Sequence, residues 1–399
     1  MRALFLYLLF VALQGVALAT PLNLQVVYKK YLVKNAKIAS LQAQIDSLQA
    51  QAQAVSRWDN PILYVGYNNA DVNNFFILDS SFMQSISVGL SQKFDVNGKR
   101  HTQKQVVQIE RQKKILELEQ LKQQIAINIL SNAINVYKNT QKLALLKDAL
   151  DNIENLLYRA KHSSNPDQIA IAKLEVIKAQ WEIKQNDLQD SLADNKISIS
   201  ELTFNQSDLL SLAPSLIAFK PEVELKEIME TNRTIKIASL QNSQALKNIT
   251  LAKKSFLEDI NVTANYLFRS KIFDMFTIGV AIPLPIYGKQ NNTLQQRREE
   301  HLVALNSLEN IKNSVQHNAR KLIKKLTQLQ KNLANIEQIL QASEHIVQIY
   351  KDNLPSSQGD YNSYYNAFND TINTKLLQLE TKSALATNYL ALENLKGLQ

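Results

Sequence analysis

The sequence predicts a mostly α chain with a transmembrane β-barrel portion. Two structural repeats of long helices plus a β-hairpin make up the chain, and a trimer forms a 12-stranded barrel on a helical barrel. Three observations predict this. Gly and Pro number only 8 each in 399 residues, so few points interrupt a helix. Four short runs alternate apolar and small or polar residues, the pattern of a strand with two unlike faces. Landmarks in the first half recur in order in the second, the mark of a duplicated unit.

In chain order, Arg2 precedes the short apolar stretch Leu4–Leu13, and Ala17-Leu18-Ala19 supplies small residues for cleavage. Residues 1–19 therefore read as a signal peptide, too short to span a bilayer. The first repeat takes 20–204, with helices over Leu22–Ser56, Arg100–His162 and Asp167–Leu202 and strands near 61–69 and 82–94. A linker or equatorial segment follows at 205–220. The second repeat takes 221–399, with helices over Val223–Lys254, Asn291–Asn353 and Asp360–Leu395 and strands near 259–268 and 275–285. Leu118, Leu121, Ile125, Ile129 and Val136 keep helical spacing. A helix of ~60 residues reaches roughly 90 Å, which suits a coiled coil or duct better than a compact domain.

The repeat rests on three landmarks. Lys37–Gln42 recurs intact as Lys236–Gln241, Gly89 precedes Gly98-Lys99 as Gly279 precedes Gly288-Lys289, and Ser163–Asp167 is echoed by Ser356–Asp360. The offsets are 199, 190 and 193 residues. The drop across the hairpin predicts a longer loop in the first hairpin than in the second.

The strands point to lipid. Ile86, Val88 and Leu90 alternate with serines and Gly89; Ile260 and Val262 with Asn261 and Thr263; Ile278, Val280 and Ile282 with Gly279 and Ala281. These eight apolar residues are assigned to the lipid-facing side and the small ones to a lumen. Trp58, Phe94, Phe256 and Tyr287 flank the strands as an aromatic belt would, with Arg57, Lys93, Lys99, Lys253, Lys254 and Lys289 at the same level for headgroups. Four strands cannot close a barrel, and open edges in lipid leave backbone groups unpaired at several kcal/mol each. Three copies give twelve strands.

Composition excludes other classes. Without cysteine there is no disulfide, thiolate metal site or cysteine nucleophile. The net charge of +9 comes from Lys and Arg interleaved with Glu and Asp along helices, so no nucleic-acid partner is read from it. His101, His162, His301, His317 and His345 show no metal-ligand spacing, and no phosphate loop or nucleophile–base motif is present. No enzyme activity, cofactor or metal site is predicted.

Asn60-Pro61, the run Ser87–Asp95 and Phe276–Gly288, with Ile282-Pro283-Leu284-Pro285-Ile286, resemble the strand junctions of TolC-like outer-membrane efflux factors, specifically the branch found with cobalt-zinc-cadmium resistance pumps. The resemblance spans nearly the whole chain in element order. It implies a homotrimer in the outer membrane of a Gram-negative bacterium, with a periplasmic helical extension. Its implied partners are a periplasmic adaptor (membrane fusion) protein, an inner-membrane resistance-nodulation-division transporter and outer-membrane lipid. It further implies that Ser163, Ser164, Asp167, Ser356, Ser357 and Asp360 sit at the periplasmic tips and contact the adaptor. Tyr364, Asn366, Asn369 and Asp370 are then assigned to the entrance constriction. The chain departs from the family's aspartate-rich pattern here, because Asn362, Asn366 and Asn369 fill the turns. A ring of three Asp370 carboxylates would attract cations; as a solvated helix residue Asp370 would do nothing of the kind. The expected function is passive conduction of substrate, divalent heavy-metal ions, from pump and adaptor to the exterior. A duct for drug efflux or type I protein secretion, and a periplasmic coiled-coil adaptor or scaffold, are the alternatives.

Overall fold

In the computed structural model, residues 32, 35–77, 80–162, 166–204, 225–270, 272–353 and 361–397 are described, apart from the side chains of Tyr361 and Asn362. The chain is mostly helical with one small antiparallel sheet. The elements run α1 (Ala36–Ala54), β1 (Ile62–Asn68), β2 (Ser85–Phe94), α2 (Lys99–Lys161), α3 (Gln168–Thr203), α4 (Leu225–Thr231), α5 (Arg233–Lys254), β3 (Ile260–Phe268), β4 (Met275–Ala281), α6 (Lys289–Asn353) and α7 (Tyr361–Lys396). The 63 residues of α2 and 65 of α6 follow from runs that contain no Gly or Pro. No described helix is long and apolar enough to cross a membrane. The signal peptide and the 205–220 linker lie outside the described residues.

Two helices differ from the sequence expectation. The first does not continue upstream through Asn35. The Asn35 side chain accepts the N–H groups of Lys37 (3.0 Å) and Ile38 (3.4 Å), so the helix is capped there and starts at Ala36. The helix expected over Val223–Lys254 is broken at Asn232. That break serves the end of α7, whose last carbonyls have no partner within their own helix. Asn232 Nδ2 donates to Leu395 O at 2.8 Å and Thr231 Oγ1 donates to Lys396 O. Gly397 then leaves the helix at φ +68.

The chain forms two compact units. One takes Met1–Ala39, Leu118–Arg233 and Asn313–Gln399. Its core has two clusters. In the first, Ile125, Ile129, Ala133 and Ile134 of α2 pack with Ile199 of α3 and with Ala386 and Leu390 of α7. In the second, Leu146, Ile153 and Leu157 pack with Ile171, Leu174 and Trp181 of α3 and with Tyr364, Tyr365 and Ile372 of α7. Gln123 Nε2 reaches the carbonyls of Glu393 (3.2 Å) and Asn394 (3.3 Å), closing more of the α7 end.

The other unit takes Ser40–Glu117 and Thr234–Lys312 and holds the sheet, ordered β1-β2-β3-β4 and antiparallel throughout. Here the buried Lys113 ammonium donates to Glu110 (2.8 Å), Gln244 (3.2 Å) and Gln241, tying α2 to α5. β1 is joined to β2 by Asn69–Gln84, whereas β3 reaches β4 through Arg269–Asp274 alone. β1 and β4 are shorter than the 9–11 residues expected of a tilted membrane strand. Both are sheet edges with a ladder on one side only. Asn69 turns away at φ +51 after β1, and Pro283, which has no N–H to donate, follows β4. Ile282 therefore lies just past the strand to which the sequence assigns it.

Candidate channel wall, junction and helix ends

The register places the apolar residues in rows. Val65 pairs with Val88, Val88 with Tyr266 and Tyr266 with Phe276; Leu63, Leu90, Ala264 and Ile278 form the next row. Tyr67, Ile86 and Phe268 lie on one side of these, and Gln92, Val262 and Val280 on the other. Directly paired residues project to the same face. Ile86, Val88, Leu90, Ile260, Val262, Ile278 and Val280 thus share a face, and Val88, Leu90, Ile278 and Val280 are all exposed on it. The opposite face carries Tyr64, Gly89, Asn265 and Thr277 in one row, Ile62, Ser91, Thr263 and Gly279 in another, and Gly66, Ser87, Leu267 and Met275 in a third. There Tyr64 donates to Asn265 across the position of Gly89. A Cβ on Gly89 would lie 2.5 Å from the Tyr64 ring, so the close approach needs glycine.

The sheet passes into α2 through a capped junction. Both Asp95 oxygens accept backbone N–H groups, from Lys99 and Arg100 at 2.9 Å each. Burial works to raise the Asp95 pKa, but the backbone donors of Arg100, Lys99 and Asn97 outweigh it and hold the carboxyl below the usual aspartate value. Beside it the Arg100 guanidinium, only 12% exposed, lies 2.9 Å from Asp59 and 3.6 Å from Asp259. Its Cζ sits 5.4 Å from the Trp58 ring centroid, and Trp58 meets Phe94 edge-on at 5.5 Å. One arginine thus gathers the acidic residues that lead into both hairpins. Asn97 adds a bond to Lys254 O at 2.6 Å, and Lys254 Nζ donates to Gly98 O at 2.9 Å. Sequence reading took Trp58 and Phe94 for a belt and missed Arg100. The signal was an acidic residue before the first strand of each hairpin, at Asp59 and Asp259.

Of the tip residues, Ser163, Ser164, Ser356, Ser357 and Asp360 lie outside the described residues. Asp167 is the N-cap of α3, its side chain accepting from Ile169 N (2.9 Å) and Ala170 N (3.2 Å). The four residues assigned to the entrance do not share one surface. Tyr364 is buried in the core and lies stacked 6.1 Å from Phe368. Asn369 is half-buried. Asn366 and Asp370 are exposed and line a cavity of about 270 Å³ with Ser343, Ile346, Tyr350, Ser363 and Ala367. The neighbouring Tyr365 hydroxyl is buried without a hydrogen-bond partner among the described residues. Burial, then the Asp370 charge, push its pKa up to about 12. Among the described residues no group of three His, Cys, Asp or Glu side chains is placed to hold a metal ion.

No family model matches the chain, and no curated protein matches it. Solved structures do. CusC, studied for the conformational changes accompanying folding and transmembrane channel formation, matches with a TM-score of 0.78 and 14% identity over 95% of this chain and 93% of that chain. The outer membrane protein VceC of Vibrio cholerae matches at 0.77 and 16% identity, over 94% and 96%. The open state of the MtrE outer membrane channel of Neisseria gonorrhoeae matches at 0.78 and 12% identity, over 94% and 88%. At these identities the likeness is one of fold, and the chain has the fold of outer-membrane channel proteins.

Proposed function

We propose that this chain is the outer-membrane channel component of a tripartite efflux pump of the TolC-like kind. The observation that carries the reading is the sheet. One face is exposed and apolar in nearly continuous rows, the other is mixed, with Ser87, Gly89, Ser91, Thr263, Asn265, Thr277 and Gly279 at its centre and Ile62, Tyr64, Leu267 and Met275 around them, and each edge strand has a free side among the described residues. In water such a face is unfavourable by about 25 cal/mol per Å²; in lipid it is the solvated side. The edges then require strands from further copies, and three copies close a 12-stranded barrel. The shared fold with outer-membrane channels supports this.

The lipid-facing set is Ile86, Val88, Leu90, Ile260, Val262, Ile278 and Val280, with Ile282 at its margin. Conduction is passive. The inner-membrane resistance-nodulation-division transporter loads cargo, and the periplasmic adaptor engages the tips at Ser163–Asp167 and Ser356–Asp360. Binding energy at the tips biases a closed-to-open equilibrium. Asn366 and Asp370 border the path near the entrance, and Asp370 favours cations there. This supports divalent heavy-metal ions as cargo, as does the sequence resemblance to the metal-resistance branch.

The first test is the detergent-corrected mass of the protein taken from purified outer membranes. A trimer is expected, and a soluble monomer would overturn the reading. The cargo is tested by growth of a deletion strain on zinc, cadmium or nickel against detergents and bile salts. Sensitivity to the second group alone would make this a drug duct.

A further inference from the structure

The long loop of the first hairpin, Asn69–Gln84, exposes Val72, Phe75, Phe76, Ile77, Phe82 and Met83, with Val72 at 91% and Phe76 at 93%. Large apolar groups gathered on one short segment form a patch of the kind that marks an interaction surface. The loop is ordered around them by its own polar groups. Asp71 accepts Asn73 N and Asn74 Nδ2, each at 3.0 Å, and Ile77 N donates to Asn74 O at 3.0 Å. Asn69 Nδ2 closes the base of the loop on Met83 O at 2.9 Å. The polar side chains thus bond within the loop, and the apolar ones are left outward.

The loop lies against one particular face of the sheet. Tyr67 shares the apolar face with Ile86 and Phe268. Its ring meets Phe75 edge-on at 5.6 Å, and its hydroxyl donates to Ile77 O at 3.1 Å. Phe75 in turn meets Phe76 at 5.4 Å. Between loop and sheet is a cleft of about 500 Å³, lined by Val65, Gly66, Tyr67, Phe75, Phe76 and Ile86. Val65, Tyr67 and Ile86 all project from the apolar face, and no lining residue is charged. A cleft of this size and character is of the kind that holds an organic ligand.

The surroundings name the occupant. The cleft continues the rows assigned to lipid, so whatever solvates Val65 and Ile86 also reaches Phe75 and Phe76. Asn69–Gln84 contains no Lys or Arg, so it offers no cation to a phosphate headgroup. Phe75, Phe76 and Phe82 lack the polar tip that keeps Trp and Tyr at headgroup level, and they favour the acyl region. The height of the wall agrees. β1 has 7 residues, which at ~3.3 Å each and a tilt of about 40° gives roughly 18 Å, against the ~25 Å of apolar band that a membrane barrel presents. The loop follows the end of β1 and adds apolar surface there.

We propose that this loop is a lipid-binding element on the outer wall of the barrel, and that an acyl chain of the surrounding bilayer occupies the cleft beneath Phe75 and Phe76. The proposal rests on the outer-membrane channel reading and adds the course of the loop. The loop is immersed beside the wall and does not lie over the exit of the pore, because the face it leans on is the one turned away from the lumen.

The chain contains no cysteine, so single nitroxide labels can be placed cleanly on the full chain in phospholipid vesicles. Labels on Phe76→Cys and Val88→Cys are compared for collision with oxygen, which partitions into lipid, and with a neutral nickel chelate, which stays in water. Both labels are expected to meet oxygen several-fold more than the chelate. Chelate access at Phe76→Cys, with Val88→Cys in lipid, overturns the immersed loop while the channel reading stands. A label on Phe76→Cys that neither reagent reaches means that protein covers the patch, which also overturns it. Chelate access at both positions overturns loop and channel together. The cleft is read with a phosphatidylcholine that carries a photoreactive diazirine in its acyl chain. Adducts should map to Val65–Tyr67 and Phe75–Phe76 several-fold more than to Ile278 and Val280 on the open rows. Phe76→Ala should abolish that excess without changing the mass of the assembly. Equal adduct yield in the cleft and on the open rows overturns the held chain.

Discussion

Gly98 and Gly288 adopt the same left-handed conformation, φ +70 and +71, each at the residue that precedes a long helix. The N–H groups of Thr102 and Asn292 bond back to their carbonyls at the same 3.2 Å. An L side chain is strained in this region by roughly 1–2 kcal/mol. Gly288→Ala should therefore lower stability by about that amount from backbone strain alone, since nothing lies within 4 Å of the added Cβ. Gly98→Ala should cost more, because its Cβ meets Lys254 Nζ at 3.3 Å and disturbs the bond that Lys254 makes. Thermal unfolding in detergent ranks the two, and equal midpoints for both variants and the parent would refute the strain argument.

Among the described residues, Arg100 is the one cation that pairs with both Asp59 and Asp259. Arg100→Met removes it and leaves Asp259 partly buried with no partner, at a cost of about 2 kcal/mol. The pair with Asp59 contributes little, because that carboxylate is 61% exposed. Adding Asp259→Asn should recover part of the loss, whereas adding Asp59→Asn should not. Paired unfolding measurements on the three variants decide it.

Asp95 gives a pH signature. Its pKa is held below the ordinary 3.8 in the folded chain, so the unfolded state takes up its proton first as pH falls. Its contribution is present above the unfolded value and is lost as pH drops through the folded one. Asp95→Ala should cost about 1 kcal/mol at neutral pH, as a lost helix cap does. The gap between variant and parent should narrow steadily below about pH 4. A gap that stays constant from neutral to strongly acid pH would mean that the cap bonds do not depend on the charge.

Gly89 lies beneath the bond from Tyr64 to Asn265. Gly89→Ala should destabilise by about 1–3 kcal/mol through overpacking. Tyr64→Ala in the same chain should remove the clash with the ring and free the Asn265 side chain, whose oxygen is the nearest atom to the added Cβ, to turn away. A double-mutant cycle that is additive within about 0.5 kcal/mol would show the two sites to be independent.

The two faces of β2 should respond oppositely to charge. Val88→Arg sits on the exposed apolar face and is expected to cost about 2–4 kcal/mol if that face meets the bilayer midplane. Ser87→Arg, one residue away on the other face, should be tolerated. The readout is the amount of each protein recovered in the outer membrane. Equal recovery of both variants would argue against lipid on the apolar face.

The sequence by itself determined the element types. Long runs without Gly or Pro leave helix as the unopposed local choice, and strict alternation from Ser85 to Leu90 or Ile260 to Tyr266 admits only a two-faced strand. The drop in repeat offset marked the longer first hairpin loop. Tertiary structure alone decided the rest, because it depends on partners remote in sequence. Asn232 breaks a helix that local propensity would continue, since the carbonyls of Leu395 and Lys396 need its donors and those of Thr231. Tyr364, assigned to an entrance by resemblance, is buried because α2 and α3 close over it, while Asn366 and Asp370 on the same helix stay exposed. Arg100 could not be read as a clamp from its own position, because its two carboxylates lie 41 and 159 residues away and only the folded sheet brings them together.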